Sequence, residues 1–261
     1  MTRRRFYAPP SAFDSSLESV TLGADEARHL RDVLRLKAGD EVYVFDGVGK
    51  ESHCRVEESG RDSAKLKIVS EVDPARPESP LQLTLAVALL KGEKFDLVVQ
   101  KATELGVARV VPVVTKLADI RLRDDTDAAK RVARWQRIAL EAAKQSGRAV
   151  VPEISGPVAF ESLLENAGPK PQDTKAEDLP HRLMFSERDG QSIMEATAAL
   201  TARPAAVIAL VGSEGGWTDE ELAAAREAGW KIVTLGGRTL RAETAAIVVT
   251  TLLQHLFGDI I

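Results

Sequence analysis

Two glycine-rich stretches hold the residue types best suited to chemistry. The first is Val211-Gly212-Ser213-Glu214-Gly215-Gly216-Trp217-Thr218. The second is Leu235-Gly236-Gly237-Arg238-Thr239-Leu240-Arg241-Ala242-Glu243-Thr244-Ala245. Adjacent glycines let a backbone come close to a ligand and turn its N–H groups toward it. Arg238 and Arg241 flank the entry to a helix as a clamp on an anionic substrate would, and a guanidinium fork suits that task. A plainer reading stands beside each: a tight strand-to-helix turn for the first stretch, and a surface loop with two solvated arginines for the second. Neither stretch is a phosphate fingerprint, since G-x-G-x-x-G and G-x-x-x-x-G-K-[ST] are both absent. That weighs against a nucleotide hydrolase and a dinucleotide oxidoreductase. Ser213 has Gly215 two places on, but Val211 stands where a nucleophile elbow needs its first glycine, so Ser213 reads as a turn serine.

The elements around these loops alternate. Ala206 to Val211 and Lys231 to Leu235 read as strands, each leading into a glycine stretch. Thr218 and Glu221 fit a capping box opening a helix at Asp219 to Ala228, which Gly229 closes. Glu243 to Phe257 is an apolar last helix of small and β-branched residues, suited to close packing, including on another chain. Upstream, Leu81 to Ala88, Arg109 to Val114, Ala149 to Ile154 and Arg182 to Phe185 read as strands. Glu93 to Leu105, Asp127 to Ser146, Phe160 to Glu165 and Ser192 to Leu200 read as helices, with Gly168 to Pro180 a surface loop. Such alternation predicts a parallel sheet covered on both faces, with ligands at the carboxyl ends of its strands. Residues 17–72 differ. A short helix at Asp25 to Leu36 precedes strands at Glu41 to Phe45, Ser52 to Glu58 and Ala64 to Val72, with a hairpin turn at Asp46-Gly47. This predicts a compact β-barrel. Three prolines within Asp73 to Pro80 mark a linker. The expected division is therefore residues 1–72, a linker at 73–80, and an α/β domain over 81–261.

The chain has 261 residues and a formal charge of −4. That charge is unevenly spread: residues 91–148 carry +5 and residues 149–261 carry −7, with Arg3-Arg4-Arg5 clustered at the start. A polyanion can be drawn to one face despite a negative total. A single cysteine, Cys54, excludes an internal disulfide, and four scattered histidines give no metal-ligand spacing. No metal is expected. No run reaches the ~20 apolar residues of a membrane span, and the first residues lack a signal peptide's apolar stretch, so a cytoplasmic protein is expected.

The glycine stretches, read with their spacing, resemble the SPOUT superfamily of methyltransferases. The likeness is greatest to the bacterial 16S ribosomal RNA (uracil N3)-methyltransferase family. Further blocks agree: Lys91-Gly92-Glu93-Lys94 with Gln100 to Val107, Gln145-Ser146-Gly147-Arg148 with Val151-Pro152, and His29-Leu30 to Arg35 with Gly39-Asp40. Three positions depart from the family pattern. Ser213 stands where proline is usual, Lys144 where glutamate is usual, and Lys116-Leu117-Ala118-Asp119 where a basic-serine pair is usual.

The resemblance implies a trefoil-knotted α/β domain after a PUA-like barrel, and a homodimer with the last helix near its interface. It implies S-adenosylmethionine as cofactor, bound by Leu210, Val211, Gly212, Gly215, Gly216, Trp217, Leu235, Gly236, Leu240, Arg241, Thr244 and Ala245. It implies 16S rRNA as partner, within the assembled 30S subunit, methylated at uridine N3. Arg241 and then Arg238 would stabilise the developing base anion. Glu214 would orient a ligand or accept the proton, or else stiffen its own loop. Trp217 would shape the pocket or fill the core. RNA contact would fall to Arg3, Arg4, Arg5, Arg31, Arg35, Lys91, Lys94, Arg123 and Arg148. The competing readings are a ribose 2′-O-methyltransferase, a non-catalytic ribosome assembly factor, and a small-molecule α/β enzyme.

Overall fold

A computed structural model describes residues 3–120, 122–166, 179–198 and 203–261. The chain forms two units. One takes the residues up to Glu78 together with Leu140–Val151, and the other takes Ser79–Ala139 and Pro152–Ile261.

The first unit contains β1 (Arg5–Tyr7), β2 (Ser19–Leu22), α1 (Ala24–Arg28), β3 (Glu41–Phe45), β4 (Glu51–Ser59) and β5 (Ala64–Val72). The five strands pair in the order β1-β3-β4-β5-β2, with β1 parallel to β3 and the other pairs antiparallel. Period-two alternation turns Val42, Val44, Cys54, Val56 and Leu66 to one face, where Phe6, Val20 and Leu22 join them. The Asp46 carboxylate accepts from the Val48 and Lys50 amides at 2.8 and 3.0 Å, which fixes the hairpin turn. The helix expected over Asp25 to Leu36 is interrupted. α1 gives way to a wider π turn over His29–Val33, and Arg35 then takes a left-handed φ of 54°. That φ lets the Leu36 amide reach back to the Leu30 carbonyl at 3.0 Å and close the turn. β1 and β2 are too short for the sequence pattern to reveal.

The segment 140–151, read from the sequence as α/β domain, belongs to this first unit for an electrostatic reason. Glu51 is fully buried and accepts from Arg3, Arg5 and the Ala75 amide. The Arg5 guanidinium also donates to the Lys144 and Arg148 carbonyls at 3.1 and 2.9 Å. Those carbonyls lie at and beyond a helix end, where intrahelical partners run out. Val151 completes the link by donating to the Gly47 carbonyl at 2.9 Å.

The second unit begins with β6 (Gln82–Ala88), α2 (Lys94–Glu104) and β7 (Arg109–Val114). α3 (Asp125–Ser146), β8 (Glu153–Ile154), β9 (Val158–Ala159) and α4 (Phe160–Asn166) follow. Then come β10 (His181–Phe185), α5 (Ile193–Ala198), β11 (Ala206–Val211), α6 (Asp219–Glu227), β12 (Lys231–Val233) and α7 (Ala242–Phe257). Seven strands form one all-parallel sheet, ordered β12-β10-β11-β6-β7-β8, with β9 also on β7. β6 and β11 are buried along most of their length, as strands covered on both faces must be. The helix expected to run to Leu200 is described to Ala198, and the loop expected at Gly168 to Pro180 lies outside the described residues except for its last two. Among the described residues, no helix is long and apolar enough to cross a membrane.

The strand order settles where loops meet. β11 lies between β6 and β10, and β12 lies on the far side of β10. In register, Phe185 sits beside both Val211 and Val233, and Val211 beside Val87. The carboxyl ends of β10, β11 and β12 are therefore level, and the three loops that leave them share one end of the sheet.

Candidate active site

The loop after β11 is held from several sides. Ser213 to Gly216 is a β-turn closed by the Gly216 amide donating to the Ser213 carbonyl at 3.0 Å. Gly216 has a left-handed φ of +69°, which favours glycine, and a Cβ there would also make the nearby Glu187 carboxylate move aside. At Gly212 a Cβ would press on the Trp217 indole at 3.0 Å. Trp217 itself is buried, donates from Nε1 to the Phe185 carbonyl at 2.8 Å, and packs against Phe160. The loop thus leans on its own tryptophan, and the tryptophan is pinned to the end of β10. The expected capping box is present: Glu221 N donates to Thr218 Oγ1 at 3.2 Å, and Thr218 N to Glu221 Oε2 at 2.9 Å. The other Glu221 oxygen accepts from the Lys116 amide, which ties in the loop after β7.

The loop after β12 is built differently. Gly236 and Gly237 both have φ +73° with open space where a Cβ would stand. Arg238 and Arg241 are exposed, and among the described residues neither guanidinium makes a hydrogen bond or ion pair. Arg241 is the N-cap of α7, and its carbonyl accepts the first helical bond from Ala245 at 2.8 Å.

The two loops and the end of β10 enclose a cavity of about 750 Å³. Of the residues expected at a cofactor, Val211, Gly212, Gly215, Gly216, Trp217, Leu235, Gly236, Leu240, Arg241 and Ala245 line it. Leu210 and Thr244 do not: Leu210 lies in the sheet core, and Thr244 is exposed on the first turn of α7. Arg238 and Glu214 line it as well. The sequence reading missed Phe185, Ser186 and Glu187, along with Thr234, Thr239 and Ala242. The first three follow β10, and only the register of β10 beside β11 brings them here. Ser213, taken as a turn serine, is in the turn and also lines the cavity, buried and with no partner for its hydroxyl among the described residues.

Glu214 is ionised. Burial works to raise its pKa, but the Lys94 ammonium at 2.7 Å and nearby backbone amides outweigh burial and hold the carboxyl below its ordinary range. A carboxylate so stabilised is a weak proton acceptor.

The residues expected to meet RNA separate into groups. Arg4, Arg35 and Arg123 are exposed, with no ion pair among the described residues. Arg3 pairs with Glu51, Arg31 with Asp32, Lys91 with Asp119 and Lys94 with Glu214. Arg5 and Arg148 are corrections. Their side chains are 7% and 6% exposed, and they bind Glu51 and Glu78, so their charge is used inside the first unit.

The comparisons with known proteins agree with this geometry. A family profile described as an RNA methyltransferase domain matches residues 77–254. A second, described as an RNA methyltransferase PUA domain, matches residues 22–69. Ribosomal RNA small subunit methyltransferase E of Synechocystis is 33% identical over 258 residues, covering 98% of this chain and 78% of that protein. The chain belongs to the ribosomal RNA small subunit methyltransferase E family. The family member from Bacillus subtilis is 27% identical and covers 91% of this chain and 90% of its own. Among solved structures, the family member from Neisseria gonorrhoeae, bound to S-adenosyl methionine, superposes with a TM-score of 0.83 at 34% identity, covering 100% of both chains. A putative methyltransferase of Legionella pneumophila, in complex with the same cofactor, also gives 0.83, at 29% identity over 99% of this chain and 100% of that one. The fold is thus the α/β methyltransferase domain of this family, following a PUA-like domain.

Proposed function

We propose that this chain methylates N3 of a uridine in 16S rRNA of the small ribosomal subunit, with S-adenosylmethionine as donor. The observation that carries the reading is the cavity: two glycine loops, the first crowded at Gly212 and Gly215, converge there with two arginines that have no partner among the described residues. The residues fit such a cofactor. Bare backbone at Gly236 and Gly237 and an orphaned buried hydroxyl at Ser213 are the surfaces a polar ligand of this size needs. When bound, the cofactor supplies a methyl group on a sulfonium, so its leaving group is already activated.

The chain's own residues would then do three things. The loop of 212–217 and the stretch 235–241 would bind and orient the donor. Arg241, with Arg238 beside it, would stabilise negative charge on the uracil oxygens as the weakly acidic N3 proton departs. Positioning of N3 in line with the methyl carbon would lower the barrier further. Glu214, already ionised and engaged with Lys94, fits loop fixation better than proton acceptance. The target uridine must be unpaired or flipped, since pairing blocks N3. RNA approach would rest on Arg4, Arg35 and Arg123 as exposed cations. The reading also includes a trefoil knot around the cofactor loops. A homodimer through α7 completes it: Ile247, Val248, Leu252, Leu256 and Phe257 leave an apolar side half-covered.

The test is methylation of 30S subunits from a strain lacking the enzyme, followed by nuclease digestion and mass spectrometry. 3-Methyluridine is the expected product. A 2′-O-methyl nucleoside would replace the reading with ribose methylation. Absence of cofactor binding by calorimetry would replace it with a non-catalytic assembly factor.

A further inference from the structure

Beside the cavity, the turn before α2 meets the loops after β7 and β11. Lys94 Nζ lies 2.7 Å from Glu214 Oε1, and the Lys91 backbone nearby also favours the ionised form of that carboxyl. Lys91 Nζ pairs with Asp119 at 2.7 Å. Gly215 lies so close to the loop after β7 that a Cβ would come within 2.8 Å of the Leu117 carbonyl. Glu214 occupies the second position of the Ser213–Gly216 turn, which forms one wall of the cavity, and Lys94 lines the cavity too.

We infer that Lys94 is a positioning residue of the cofactor site: its ammonium holds Glu214, and through Glu214 the Ser213–Gly216 turn, in the shape that receives the donor. This rests on the methyltransferase reading above. Two observations separate it from the alternatives. The pair is partly solvated, with side chains 35% and 27% exposed, and ion pairs of that kind contribute little to global stability. Its value is therefore in geometry. Lys94 also has its charge met by Glu214, whereas Arg4, Arg35 and Arg123 have theirs open to solvent, so Lys94 offers a phosphate much less. The groups facing Glu214 are Lys94 and Lys91 from the turn and first residues of α2, with Asp119 behind Lys91 from the loop after β7.

The experiment is calorimetry with S-adenosylmethionine, paired with RNA binding across a salt series and a thermal melt. It compares the full-length wild type with Lys94→Met, Lys94→Arg, Glu214→Gln and the Lys94→Met/Glu214→Gln double variant. Lys94→Met and Glu214→Gln should each weaken cofactor binding roughly tenfold, and the double variant should be no worse than either, as coupled contacting residues behave. Lys94→Arg should bind within a few-fold of wild type, since it keeps the cation. Melting temperature and the salt dependence of RNA binding should stay unchanged in Lys94→Met. Unchanged cofactor affinity, with a salt slope reduced by about one, would overturn the inference and make Lys94 a phosphate contact. A melt lowered in step with affinity, not rescued by arginine, would overturn it in favour of a structural role. A wild type that fails to bind the cofactor would overturn the methyltransferase reading itself, an outcome distinct from both.

Discussion

The two glycine loops look alike in sequence and are opposites in structure. The one after β11 is over-determined: a β-turn, a capping box, a pinned tryptophan and an ion pair each fix part of it. Among the described residues, the one after β12 is held by little beyond its own backbone, with left-handed glycines in open space and two arginines without partners. The first is a wall whose shape precedes any ligand. The second keeps its charge available for whatever arrives. On the proposed reading both loops would receive the donor, the first with a preset shape and the second with bare backbone, and the second would add the arginines that meet developing charge.

Each loop can be attacked separately to break that contrast. Arg241→Ala should lower the rate roughly 100- to 1,000-fold, the cost of removing one donor aimed at developing charge, while cofactor affinity stays near wild type. Single-turnover methylation beside calorimetry would measure both, and an unchanged rate would take Arg241 out of the chemistry. Trp217→Phe should lower stability by about 1–3 kcal/mol, because it strands the buried Phe185 carbonyl. A urea melt reads that loss, and cofactor binding should fall with it, since the wall loosens. Gly237→Ala should cost only about 1 kcal/mol, the strain of a left-handed φ with nothing nearby to clash. If Gly237→Ala abolished cofactor binding, the second loop would be as rigidly specified as the first and the contrast would fail. The smallest effect lies away from both loops. Burial pushes the Cys54 thiol up to about 12, so it should resist thiol reagents at neutral pH until the first unit unfolds.

Much of the second unit was legible because its signals are local. Short apolar strands, capping residues and closing glycines place β6, β7, β11, α2, α6 and α7 within a few residues of where they lie. The cavity was legible on two of its sides, since both glycine loops announce themselves. Its third side was not. Phe185 to Glu187 carry no motif, and they reach the site only because β10 pairs with β11, a contact between strands that no periodicity encodes. Charge was misleading for a similar reason. Arg5 and Arg148 look like free cations in the sequence, yet both side chains are themselves buried and each meets a carboxylate from far along the chain, Glu51 and Glu78. The first unit hid its short strands β1 and β2, and its helix ends in a π turn that apolar spacing alone reads as regular helix.

The Arg5 guanidinium carries one more consequence, for the order in which the protein is made. Its carbonyl partners, Lys144 and Arg148, lie 139 and 143 residues downstream. A ribosome that has just released Glu78 has exposed all five strands of the first unit, but not the segment that satisfies its N-terminal strand. That strand must wait until more than half the chain has emerged, so the first unit to begin folding is not one that can finish early. A fragment ending at Glu78 should accordingly be unstable and should recover order when a peptide spanning residues 140–151 is supplied.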